Sequence, residues 1–201
     1  MHRMKVTIAC LALVVAALAA ADDKPAAPGA ATDQKALMDA WMKFATPGPG
    51  HKALQPMVGT WNAKVMTWMA PGTAPIVNDA VSEMTWVLGG RYLQQKNEGT
   101  FMGQPYSGLG YMAYDNYKKQ YLVSWMDNVG TSIFSMAGSA DDAGKLFSLE
   151  GKMDDFMTGR ELTVKSTWKV VDDDHNVYEM WSPGPDGKMF KMMEIDYSRK
   201  K

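Results

Sequence analysis

The sequence predicts an all-β fold: an up-and-down antiparallel β-barrel of about ten strands with one N-terminal helix. Three observations lead there. Turn-forming clusters recur about every 10–13 residues from Met57 onward, the rhythm of short strands joined by hairpins. Between them apolar and polar residues alternate, as a sheet with one dry and one wet face requires. No long helical pattern follows residue 46, which argues against βαβ units. Ten such strands in an open sheet would leave exposed edges, and closing the sheet removes them. The composition agrees, because 201 residues fit one domain with a tail and 46% hydrophobic with 21% charged residues is a globular balance. A formal charge of −1 excludes a broad basic footprint, so no nucleic-acid partner is expected.

Residues 1–21 place Arg3 and Lys5 ahead of an apolar run from Val6 to Leu18, followed by small residues. This is the layout of a secretory signal peptide with an Ala-x-Ala cleavage site. The run falls short of the ~20 residues of a spanning helix. Export to the periplasm or beyond is therefore expected, with no transmembrane segment in the mature chain. Cys10, the single cysteine, leaves with the signal, so neither a disulfide nor a thiolate metal site remains. Loss of Arg3 and Lys5 takes the formal charge from −1 to −3, which says nothing about partners. Residues 22–32, rich in Ala, Pro and Gly, read as a flexible linker.

Residues 33–46 read as an amphipathic helix. Leu37, Trp41 and Phe44 recur at helical spacing beside Met38 and Met42, Thr32 or Asp33 can cap the start, and Pro47-Gly48 stops it. Such a stripe reads first as packing across one end of the domain, and second as a partner-binding surface. The barrel domain is placed at 51–199. Its strands are expected near 57–69, 78–88, 91–101, 105–114, 119–127, 130–138, 145–153, 160–171, 175–182 and 188–197. The alternation is cleanest where Leu162, Val164, Ser166, Trp168 and Val170 oppose Glu161, Thr163, Lys165, Thr167 and Lys169.

Gly59-Thr60-Trp61 at the start of the first strand resembles the Gly-x-Trp signature of the calycin superfamily of lipocalin-like barrels. That resemblance implies a Trp61 that plugs the closed end and packs on an Arg, here Arg199. A wider series resembles the bacterial family called domain of unknown function 1579. It runs from Leu88-Gly89-Gly90-Arg91-Tyr92-Leu93 through Gly103-Gln104-Pro105-Tyr106-Ser107-Gly108, Tyr114-Asp115-Asn116, Trp125-x-Asp127 and Gly130-Thr131. It ends at Lys191-Met192-Met193-Glu194-Ile195-x-Tyr197-x-Arg199. The match covers roughly residues 50–199 and implies a fold and export, with no activity to carry over.

Residues with chemistry are few. His51 and His175 read as surface-loop histidines, and no Gly-x-Ser-x-Gly elbow supports a hydrolase triad. Some ten-stranded barrels hold haem through a late histidine. Here that would be His175, whose acidic neighbours Asp172, Asp173 and Asp174 argue against it, so no cofactor is expected. Asp172, Asp174 and Asn176 begin with calcium-loop spacing, but Val177 stands where Gly is needed and Pro183 where the closing Glu is needed. Met66-Thr67-Trp68-Met69 and Met192-Met193 are too sparse for a copper site, so no metal is expected.

Surplus aromatic and methionine side chains then point to the lumen. A barrel of this size has room for a small ligand. The expected role is binding a small, largely apolar molecule against Met84, Trp86, Tyr111, Trp125 and Trp168. Arg91 and Glu194 would fix its polar end. Glu83 and Glu179 pose the same question as Glu194, between an inward carboxylate and an outward cross-strand pair. Two other readings stand beside it: a hydrolase or isomerase using inward Glu, Tyr or Arg, and a protein-interaction module through helix 33–45. The sequence is silent on catalysis and on the oligomeric state.

Overall fold

The computed structural model describes residues 28–155 and 158–201. The expected signal peptide and the start of the linker lie outside the described residues. Two units are distinguished, with the boundary between Lys43 and Phe44.

The first carries helix α1 (Pro28–Ala45), which begins inside the segment expected as linker. Proline suits a first helical turn, and the alanines behind it propagate the helix. Lys35 pairs with Asp39 one turn on, at 2.5 Å. Within this unit the apolar stripe is exposed, Leu37 by 72% and Trp41 by 57%. No helix among the described residues is long and apolar enough to cross a membrane.

The second unit holds ten strands: β1 (Gly59–Thr67), β2 (Ile76–Val87), β3 (Tyr92–Phe101), β4 (Gln104–Asp115), β5 (Gln120–Asp127), β6 (Phe134–Ala140), β7 (Leu146–Asp155), β8 (Arg160–Asp172), β9 (His175–Pro183) and β10 (Met189–Arg199). Each pairs antiparallel with its chain neighbour, and β1 pairs with β10, so the barrel is closed. Register pairs such as Ala63 with Tyr197 and Ala63 with Ala80 keep every inward set on one face. Charged side chains, among them Lys64, Glu83, Lys96, Glu98, Glu150, Lys152 and Lys165, are exposed on the outer wall. This is the reverse of a lipid-facing barrel.

The largest departure from the expected strands is β6, which begins at Phe134 rather than near 130. Asn128 extends the β4 pairing instead: its backbone N–H donates to Ser107 O, and its side chain bonds Ser107 N and Pro105 O. The segment behind it becomes a loop.

One end of the barrel is plugged. Residues before β1 form a four-residue helix α2 (Pro49–Lys52) and a 3₁₀ turn (Gln55–Met57). Leu54, Met57 and Trp61 are fully buried there with Phe147. The Trp61 indole N–H donates to Met57 O at 2.8 Å. The Arg199 guanidinium lies 4.1 Å above the Trp61 ring and donates to Val58 O, Pro56 O and Asp173 O. One cation therefore ties the last strand to the plug, as the calycin resemblance implies.

His51 is buried, not on a surface loop. Its Nδ1 accepts from Gly48 N at 3.1 Å and its ring meets Tyr114 edge-on. Burial and then the nearby Arg91 charge hold its pKa below the ordinary 6.5.

Two outcomes are expected. Arg199→Ala should lower the unfolding free energy in urea by about 2–4 kcal/mol, since it leaves carbonyls without a donor and removes the ring contact. Arg199→Lys should recover less than half, because an ammonium lacks the guanidinium fork. For His51 the folded protein binds the proton less readily than the unfolded chain. Stability is therefore full above the unfolded pKa and falls as pH drops through about 6.5 toward the folded value. The urea midpoint should decline over that window in the wild type and stay flatter in His51→Gln.

Candidate functional site

The inward side chains are unevenly buried along the strands. Toward the plug they are buried: Tyr121, Phe147, Leu149, Trp168, Val170 and Tyr197. Toward the other end several are only half-buried, Val65, Phe101, Tyr106, Trp125, Phe134 and Met153, while Thr67, Met180 and Ser182 on the same inner face are buried. Val123, Gln95 and Tyr178 stay partly accessible at mid-height. The Trp61 end is thus sealed, and the half of the barrel away from it, where these six side chains stay half-buried, is here its open half.

A polar belt crosses the middle. The Gln95 amide donates to Ser82 Oγ, Asn97 Oδ1 and Tyr197 Oη at 3.0–3.2 Å. Trp168 stacks on Tyr197 at 5.0 Å and meets Tyr178 at 5.6 Å. Burial pushes the Tyr178 hydroxyl up to about 12 and raises that of Tyr197 as well, so both stay protonated donors. Several buried polar atoms have no protein partner: Thr67 Oγ1, Asn78 Nδ2, Trp168 Nε1 and both amide atoms of Asn176. Thr67 and Asn78 are close together on the β1–β2 wall of the open half.

On the β4–β5 wall of the open half, Tyr106, Trp125 and Asp127 form a bonded triad. Tyr106 donates to Asp127 Oδ2 at 3.1 Å, and the Trp125 indole N–H points at both Tyr106 Oη and Asp127 Oδ2 at 3.2 Å. Burial, then the Asp127 charge, raises the Tyr106 pKa. The Trp125 ring lies flat on two glycines. A Cβ on Gly108 would sit 2.3 Å from the indole, and one on Gly110 2.5 Å. A side chain at either position would push the ring off the wall.

Of the seven side chains expected to hold a ligand, the structure places Trp125 on the inner wall of the open half. Met84 and Trp168 face inward but are buried in the closed half. Trp86 also faces inward there, where its indole N–H donates to Gln55 Oε1 and locks the plug. The other three need correction. Tyr111 faces outward, its hydroxyl accepting from Gln94, which shares the outer face. Glu194 faces outward with Glu179, and both pair with Lys191, whose ammonium they hold protonated. Arg91 is exposed in the β2–β3 turn and donates to Leu88 O at the plugged end. Glu83 is likewise outward and exposed. His175 is exposed on the outer face at the β8–β9 turn and does not fit an axial ligand in the lumen.

Sequence reasoning missed Gln95, Tyr106, Asp127 and Tyr197. Tyr106 and Asp127 stand in quoted motifs. The signal was Tyr106-x-Gly108-x-Gly110, a strand face emptied beside a tryptophan. Two grooves of roughly 560 and 700 Å³ lie on the outer wall, one along β1, β2 and β10, the other across β5–β8. Among the described residues no group of three or more His, Cys, Asp or Glu could hold a metal ion.

Among solved structures, Rv2717c from M. tuberculosis is similar over 78% of this chain and 100% of its own, at 16% identity and a TM-score of 0.58. That likeness concerns the fold alone. A redesigned β-barrel aligns over 74% of this chain and 96% of its own, at 11% identity and a TM-score of 0.40. No curated protein matches the chain. A family model matches residues 46–199, the whole barrel with its plug, and the chain therefore belongs to DUF1579, a family of proteins of unknown function.

Proposed function

We propose that the chain is an exported binding protein that holds a small, largely apolar molecule with a hydrogen-bonding end in the open half of its barrel. The single observation that carries this reading is the set of inward apolar and aromatic side chains left half-buried at the end away from Trp61: Val65, Phe101, Tyr106, Trp125, Phe134 and Met153. Apolar walls at Val65, Val123, Phe134 and Met153 would take the ligand's body. The unpartnered Thr67 and Asn78 would satisfy its polar end, since buried polar groups without partners are rare in a packed interior. Export rests on residues 1–21, with Arg3 and Lys5 before the apolar run.

An enzymatic reading has less support. Tyr106 beside Asp127 is an acid next to a base, but its pKa is raised, away from the neutral range where proton transfer is efficient.

Native mass spectrometry of protein purified from its own host should show a bound small molecule. The same protein should begin at or just after residue 21 on N-terminal sequencing. In vitro, 1-decanol should quench the intrinsic tryptophan fluorescence saturably. Val123→Trp, which fills mid-lumen space, should reduce 1-decanol affinity at least about tenfold with the circular dichroism unchanged. Equal binding by this variant would remove the lumen from the account.

A further inference from the structure

The open half carries a group that the reading above leaves unused. Asp127 is partly accessible at the mouth end of β5, and among the described residues it has no ion-pair partner. Its carboxylate is fixed by Tyr106 and Trp125 on Oδ2 and by the Val129 N–H on Oδ1. A carboxylate has about four acceptor positions, so one more donor can be taken. Aromatic rings surround it on the same inner face. Trp125 and Tyr106 flank it directly, Phe134 lies opposite Trp125 across the β5–β6 pair, and Phe101 is 6.5 Å from Tyr106 between ring centres. Cations toward this end are engaged elsewhere: Lys188 pairs with Asp186 at 3.8 Å, Lys191 with Glu179 and Glu194, Lys152 with Glu161 at 3.3 Å, and Arg160 is exposed and bonded to Thr158.

We infer that this wall is a subsite for the cationic group of an amphipathic ligand, a primary amine or quaternary ammonium. The charge would be neutralised by Asp127 and covered by the faces of Trp125, Tyr106 and Phe134. An ammonium is attracted to ring faces and to a carboxylate together, whereas an anionic head would meet a fixed negative charge. The hydrogen bonds of Asp127 hold it in place before any ligand arrives. Gly108 and Gly110 let the indole lie back so that its face, not its edge, looks into the lumen.

This inference rests on the lumen reading, and one ligand series separates the two. Decyltrimethylammonium, 1-decanol and decanoate share a chain and differ in head charge. Each is titrated below its micelle concentration into the mature full-length protein, by calorimetry and tryptophan fluorescence. Decyltrimethylammonium should bind at least about tenfold tighter than 1-decanol, and decanoate weakest. In Asp127→Asn the preference should disappear while 1-decanol affinity is unchanged. Because that substitution touches a bonded triad, Phe134→Leu provides a second variant, which should lower the preference severalfold without altering Asp127. Equal binding of the three ligands overturns the cationic subsite and leaves the lumen reading standing. Tighter binding of decanoate overturns the subsite outright. If none of the three binds, both readings fall.

Discussion

The contact between Arg199 and Trp61 is the joint on which the rest of the structure depends. A barrel of hairpins has local turns at nine of its ten seams, and only the β1–β10 seam joins residues from opposite ends of the sheet. At that seam the guanidinium covers the indole and takes carbonyls from the plug segment. The plug in turn is pinned by Trp86 through Gln55 and by Tyr121, whose hydroxyl donates to Gly50 O. Sealing one end places Trp61, Phe147 and Tyr197, the largest fully buried side chains, in that half of the interior.

Along the inner wall small residues stand opposite large ones. Gly108 and Gly110 accept the Trp125 ring against the wall, and a Cβ on Gly151 would lie 2.9 Å from Met136 Cγ. Side chains laid along a wall occupy less of the lumen than side chains pointing across it. The same trade lets polar groups reach the interior. Tyr197, Gln95, Ser82 and Asn97 form their own network, while Thr67 and Asn78 are left open-handed.

Much of this was legible in the sequence. Period-2 alternation placed β7 and β8 and gave the inward set Val164, Ser166 and Trp168, because one wet face forces that pattern. Misplacements have physical causes. In β4 both faces carry apolar residues, Leu109 and Tyr111 outward, Met112 and Tyr114 inward, so hydropathy cannot tell them apart. In β10 the register slips between Lys191 and Met193, which breaks the two-residue parity near Glu194. Residues 130–133 read as strand, yet the Asp127 side chain bonds Val129 N and the Asn128 side chain bonds Ser107 N, which delays β6. His51 was misread because a single helical turn is too short to leave a periodic signal. The triad at the mouth was invisible as a unit, since Tyr106 and Asp127 meet only through strand register.

The closing seam also sets an order of events. Trp61 faces Arg199 across 138 positions of chain, so holding them together costs roughly (3/2)RT ln n, about 4 kcal/mol, before any seam bond forms. Neighbouring hairpins relieve that entropy step by step as they zip. The first strand must nevertheless wait, with a bare edge, until β10 arrives beside it. During that interval the polypeptide is a half-rolled ribbon, vulnerable to pairing with a stranger.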